Sequence, residues 1–222
     1  MILLATDTSG KEGSLALARG DGARLEILQV AALEGGNFSA QLVPQIAVLL
    51  AKHRLTKSDV GGFAVASGPG SFTGLRVGLA AVKGLAEALG KPVVAVSRLE
   101  AVARASTAQG SVVAALDAGR RQAYVGEYEV AAESASCTKE HLLTWEELAT
   151  CAASRIVVTP DKAIVEVLRQ ADVSVLETEL TRAGAIARIG WTKLAAGEFS
   201  DVAGLEANYI RRTDAEILVH GK

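Results

Sequence analysis

Two short segments carry side chains whose type and spacing can do chemistry: "TDTS" at residues 6–9 and "GPGSFTGLR" at 68–76. In the second, Gly68 and Gly70 allow a tight turn and close backbone approach, and Pro69 stiffens it. Ser71 or Thr73 can cap a following helix, whose first turn holds no acidic side chain. The unpaired amides there, joined by Arg76, favour an anion. Asp7 closes an apolar run and is followed by Thr8 and Ser9, a set that can hold a metal-bound phosphate through water. Asp117 in "ALDAG" repeats the pattern. The candidate anion contacts are therefore Asp7, Thr8, Gly70, Ser71, Thr73, Arg76 and Asp117. An aspartate in such a place can equally anchor its own turn. No nucleotide fingerprint is complete, because Leu75 follows Gly74 where a P-loop needs lysine, and Thr73 breaks GxGxxG.

Hydrolytic chemistry has little to stand on. His53, His141 and His220 are scattered, with no HExxH for zinc, and no GxSxG elbow occurs. Cys137 and Cys151 have no histidine at motif spacing, and "SASCTKEH" reads as a solvated loop. No metal site is expected.

Bulk composition narrows the classes further. Half of the 222 residues are hydrophobic and the net charge is −2, so no basic excess grips nucleic acid unaided. Four Phe and two Trp make a base-stacking platform a poor expectation. Two cysteines do not make a disulfide framework and read as reduced thiols. "MILLATDTSG" lacks a signal peptide's basic start, and no apolar run reaches about 18 residues. A soluble, cytoplasmic chain away from membranes is the expectation.

The elements that must position these residues follow from periodicity. "ILLATD", "SLALARG" and "RLEILQV" read as a three-strand meander with Gly- and Asp-rich turns. Leu42, Ile46, Leu49 and Leu50 fall at helical spacing after Asn37 or Ser39 as cap. "GGFAVAS" is a buried strand leading into the glycine turn, and "KPVVAVS" a strand before a short helix with Ser97 and Glu100 as its capping box. From Val112 the order strand, aspartate, turn, strand returns, so the chain reads as a duplication divided at "STAQGS": 1–108 and a smaller, degenerate 109–222. In the second half, Thr144 and Glu147 form a capping box before "WEELATCA". "RIVVTP", "KAIVEVLRQA" and "VSVLETE" follow, then a long helix within "TRAGAIARIGWTKLAAGEF". Alternating strands and helices give an α/β class with mixed sheets.

The helix from Gly74 to Leu89 is the sharper clue. Its only charges, Arg76, Lys83 and Glu87, lie on one narrow stripe. Gly74 and Gly78 stand four apart, as do Ala80, Gly84 and Ala88, which lets another helix come close. A helix this apolar must be covered on more than one side, by its own core or by a partner.

"ILLATDTSGKEGSLALA", "GPGSFTGLRVGLAAVKGLA", "DAGRRQAYVGEY" and "EANYIRR" together resemble the TsaB (YeaZ) family of bacteria. The resemblance implies an actin-like ATPase, ribonuclease H-like fold of two duplicated lobes, which accounts for Asp7 and Asp117. It implies a non-catalytic partner of the paralogue TsaD. With the ATPase TsaE, TsaD and TsaB place threonylcarbamoyl on the adenosine beside the anticodon of tRNAs reading codons that start with A. It implies that the helices spanning Gln41–Leu50 and Gly74–Leu89 bind TsaD or a second copy, through Leu42, Ile46, Leu49, Phe72, Leu75, Gly78, Leu79 and Val82. ATP or ADP with Mg at the partner interface is the implied cofactor. Phe38 stands where the family has histidine, Gly119 where it has the arginine of "DAR", and Ala207 where it has proline. The competing reading is a stand-alone ATPase or small-molecule kinase of the same superfamily.

Overall fold

The computed structural model describes residues 1–132 and 134–211; Arg212 and His220 of the tail lie outside the described residues. Strand β1 (Ile2–Asp7) is buried at every position. Its place explains this, for it lies between β2 (Gly13–Asp21), antiparallel, and β4 (Val60–Gly68), parallel. A central strand covered on both faces carries apolar residues without alternation. β3 (Arg24–Leu33) and β5 (Val93–Ser97) complete the order β3-β2-β1-β4-β5. Helices α1 (Phe38–Lys52) and α2 (Phe72–Leu89) pack on one face, against Leu4, Leu15, Leu17, Phe63 and Val65. Short α3 (Arg98–Ala103) follows β5 directly.

The second sheet repeats the first. Strands β6 (Gly110–Gly119), β7 (Gln122–Ala131) and β8 (Ser134–Thr144) form an antiparallel meander. After α4 (Trp145–Cys151) come β9 (Ile156–Thr159), α5 (Lys162–Gln170) and β10 (Val175–Glu177). The order β10-β9-β6-β7-β8, with β6, β9 and β10 parallel, is the first sheet's order read from its other edge. The capping box at Thr144 and Glu147 is present, with Glu147 N–H donating to Thr144 Oγ1 at 3.1 Å and Thr144 N–H to Glu147 Oε2 at 2.7 Å. The segment expected to be a solvated loop, "SASCTKEH", is instead most of strand β8. It pairs along its length with β7, and as a largely exposed edge strand it needs no apolar alternation.

The last helix, α6 (Ala183–Ala195), returns to the first sheet and covers its second face. Leu3, Ala5, Ala16, Ala18, Ala64 and Ala66 meet it there, and these small side chains let it lie close. A Cβ on Gly190 would stand 2.5 Å from that of Ala64. The compact units are accordingly Met1–Ala101 with Leu180–Ala207, and Val102–Glu179 with the chain from Asn208. The expected division between residues 108 and 109 follows the repeat, whereas the units do not follow chain order, because the first sheet needs α6 to bury its second face. Among the described residues no helix is long and apolar enough to cross a membrane.

Candidate functional site

The glycine turn between β4 and α2 is held by the turn after β1. Gly68 has φ +117° and the Gly68–Pro69 peptide is cis. Ser71 N–H donates to Ser9 O at 2.7 Å, and Ser71 Oγ caps α2 by accepting from Gly74 N–H at 3.2 Å. Thr8 Oγ1 donates to Gly74 O at 2.7 Å. Asp7 Oδ1 accepts from Ser9 N–H at 2.9 Å and from Ser9 Oγ. Buried Arg98 completes the arrangement, with Nη1 donating to Pro69 O at 2.9 Å and Nε 4.0 Å from Asp7 Oδ2.

The glycines serve the same contact. An added Cβ on Gly70 would stand 2.5 Å from Ser9 O, and on Gly74 or Gly78 it would run into Thr8 O or Thr8 Oγ1. Real Cβ atoms do not approach below 3.0 Å. The four-residue spacing of Gly74 and Gly78 therefore admits the chain's own β1–β2 turn, not a partner helix. Asp7, Thr8 and Gly70 hold this turn together. Asp117 does the same in the second unit: its Oδ1 accepts from Gly119 N–H at 2.9 Å, and its own N–H donates to Asp161 Oδ2 at 2.7 Å. Each aspartate closes a two-residue Asx turn, which is what the duplication preserves. Ser71 and Thr73, with Lys11 and Asn37, border a cleft of about 360 Å³ between the starts of α1 and α2. Arg76 lies over the Phe72 ring, 3.6 Å from its centroid.

The side chains expected to meet a partner need correction. Leu42, Ile46, Leu49, Leu75, Leu79 and Val82 are buried, none more than 5% exposed, and Gly78 is buried with them. Their spacing marks the face that α1 and α2 turn to their own sheet. Each large side chain contributes about 1.5–3 kcal/mol to folding there, too much to give up to a partner. Of the eight, only Phe72 is exposed.

The outer faces of the same helices are the unusual feature. On α1, Ala40, Val43, Pro44, Ala47, Val48 and Ala51 are all exposed at i, i+3, i+4, i+7, i+8 and i+11, and Val43 and Val48 reach 51% and 61%. No charged residue occurs from Phe38 to Ala51. A solvated helix face is normally polar. On α2, Thr73, Ala80, Gly84 and Ala88 are exposed and Val77 half-buried, again at helical spacing. Gly84 has open space where a side chain would be. The two helices lie side by side on one sheet face, so an apolar stripe stands beside a stripe of small residues. An exposed apolar surface of this kind fits a protein contact.

In the second unit the fold gathers Glu127 of β7, His141 of β8 and Cys151 of α4, with ligand atoms all within 4.8 Å of one another. Sequence spacing hid this, since β7 and β8 must pair before the residues meet. Arg155 Nη1 donates to Glu127 Oε2 at 2.5 Å, and its Nη2 to Cys151 O at 2.9 Å and Sγ at 3.0 Å. That hydrogen bond holds the Glu127 carboxyl below its usual range, and burial, aided by Lys139, pushes the His141 imidazole down. Both groups take up protons more readily in the unfolded chain, so acid destabilises the fold. Stability should fall first below about pH 6.5, His141's ordinary range, and again below about pH 4.3, that of Glu127. Urea midpoints measured across this interval should lose the first step in His141→Gln and the second in Glu127→Gln.

The model described as TsaD, tRNA N6-adenosine threonylcarbamoyltransferase, matches residues 33–186. The tRNA threonylcarbamoyladenosine biosynthesis protein TsaB of Haemophilus influenzae is 33% identical over 167 residues, 74% of this chain and 66% of that protein. Its namesake in Bacillus subtilis is 35% identical over 130 residues, 58% of this chain. The chain thus spans 66% and 56% of the length of these two relatives. YeaZ from Pseudomonas aeruginosa superposes with a TM-score of 0.76 at 29% identity, covering 94% of this chain and 99% of that one. The twice-repeated mixed sheet is the ribonuclease H-like, actin-like ATPase fold. On the matched sequence and this fold together, the chain belongs to the TsaB (YeaZ) family.

Proposed function

We propose that this chain is a non-catalytic subunit in the biosynthesis of threonylcarbamoyladenosine in tRNA, and that it binds the paralogue TsaD, which carries out the transfer. The observation that carries this reading is the uncharged, exposed outer face of α1 beside the small-residue stripe of α2. A paralogue with the same fold can offer two matching helices, and Ala80, Gly84 and Ala88 let helix backbones approach. The same face is self-complementary in kind, so a homodimer competes with the heterodimer for it. TsaE joins in the ternary complex, tRNA is the substrate of the assembly, and ATP or ADP with Mg belongs at the partner interface. A stand-alone ATPase or kinase finds less support, because Asp7 and Asp117 are both engaged in their own turns.

The test is reconstitution from purified cognate TsaD, TsaE, tRNA and the separate synthase that makes the activated threonylcarbamoyl donor. Threonylcarbamoyl transfer should be lost when this chain is left out and restored when it is added back. Transfer at an unchanged rate without the chain would overturn the reading.

A further inference from the structure

The Glu127, His141 and Cys151 cluster has no part in the proposed partner face, which lies on the first unit. Its three groups are a carboxylate, an imidazole and a thiol, the ligand types that zinc takes together. All three are half-buried and come from ordered elements. The register sets Val125 opposite His141, so Glu127, two residues on, lies diagonally across from it on the same sheet face. Cys151 is the last residue of α4, whose start is fixed by the Thr144 capping box. Tetrahedral zinc with bonds of about 2.0–2.3 Å places its ligand atoms roughly 3.3–3.8 Å apart. The present separations, within 4.8 Å, need only small side-chain rotations to reach that.

Two details point to a cation rather than to a cluster that merely packs. His141 Nε2 is buried, 3.4 Å from Glu127 Oε1, and has no hydrogen-bond partner among the described residues. The Arg155 guanidinium bridges the other two groups, touching Glu127 Oε2 and Cys151 Sγ. A positive charge already sits against two of the three ligands, on a side chain long enough to swing aside. We propose that Glu127, His141 and Cys151 form a zinc site, occupied in exchange with the Arg155 guanidinium, that clamps β7, β8 and α4 of the second unit together. On binding, the Cys151 S–H gives way to an S–Zn bond and the thiol proton leaves to solvent. Water fills the fourth position.

The experiment uses the full chain, stripped with chelator and dialysed against zinc, and against cobalt as a spectroscopic stand-in. One zinc per chain should be retained, cobalt should give a thiolate-to-metal charge-transfer band, and zinc should raise the Tm. Cys151→Ser and His141→Gln should each weaken zinc by more than about 100-fold, since loss of even an outer-shell partner costs 10–100-fold. Arg155→Ala should bind zinc more tightly than the parent, an outcome that a purely structural Arg155 would not give. Cys137→Ser should bind as the parent does. Circular dichroism establishes that each variant is folded. Zinc retention unchanged in both ligand variants, absence of the cobalt band, or weaker binding in Arg155→Ala would each overturn the proposal.

Discussion

Gly74→Ala should unfold this protein far more readily, while Gly84→Ala, ten residues further along the same helix, should stabilise it. The chemical change is identical, and neither glycine needs a positive φ. At Gly74 the new methyl group meets the Thr8 carbonyl, a backbone atom fixed by the β1–β2 turn, and disturbs the Thr8 Oγ1–Gly74 O hydrogen bond. Neither the turn nor the helix can withdraw alone, because Ser71 N–H and Ser9 O bind them together. Overpacking of this kind costs about 3 kcal/mol or more. That corresponds to a Tm lower by roughly 6–12 °C in a chain of this size. At Gly84 an added Cβ meets nothing within 4 Å among the described residues, so the effect that remains is the lost backbone freedom of the unfolded chain. That is worth about 0.5–1 kcal/mol in the opposite direction. Thermal melts of the two variants against the parent decide it. Equal effects would mean that α2 does not pack on the Thr8–Ser9 turn as described.

Val48→Glu should leave the isolated chain as stable as the parent and sharply weaken the complex with TsaD proposed above. Val48 is 61% exposed, so folding stability should change by no more than about 0.5 kcal/mol. In a helix-to-helix contact the same glutamate would be buried without a partner. The expected loss is about 2–4 kcal/mol, or roughly 30- to 1000-fold in Kd. Its neighbour Leu49, 2% exposed, should behave in the opposite way. Leu49→Ala should cost about 2–5 kcal/mol of folding stability and, in the folded fraction, leave binding near the parent value. Calorimetric titration of TsaD with each variant, alongside urea melts, separates the two effects. If Val48→Glu bound normally, the outer face of α1 would not be the contact surface, and self-association measured by sedimentation should then be unaffected too.

Much of the fold is legible because β1 is a short apolar run, β3 alternates, α1 and α2 carry helical spacing, and "ATDTS" and "ALDAG" announce the same strand-end turn twice. The Thr144–Glu147 capping box is a purely local device and was readable as such. Strand β8 was not, since an exposed edge strand keeps its place through backbone bonds to β7 that polar side chains such as Ser136, Thr138 and Lys139 do not advertise. The role of Arg98 is illegible in the sequence for a related reason. Its partners, Asp7 and the Pro69 carbonyl, are set against it only when β4 and β5 pair in register.

The sequence by itself determined that α2 must be covered nearly all round and that its small residues bring something close. It could not assign the coverings, because helical spacing gives the angle of each residue but not what lies opposite. Tertiary structure decided that Gly74 and Gly78 face the chain's own Thr8, and that Ala80, Gly84 and Ala88 are left open. It decided likewise that Leu42, Ile46 and Leu49 belong to the core while Val43 and Val48 do not. It drew Glu127, His141 and Cys151 together from two strands and a helix end. Composition and periodicity are properties of one segment, whereas the neighbour that fills a missing Cβ, or leaves it empty, is chosen by where a distant turn of the chain comes to rest.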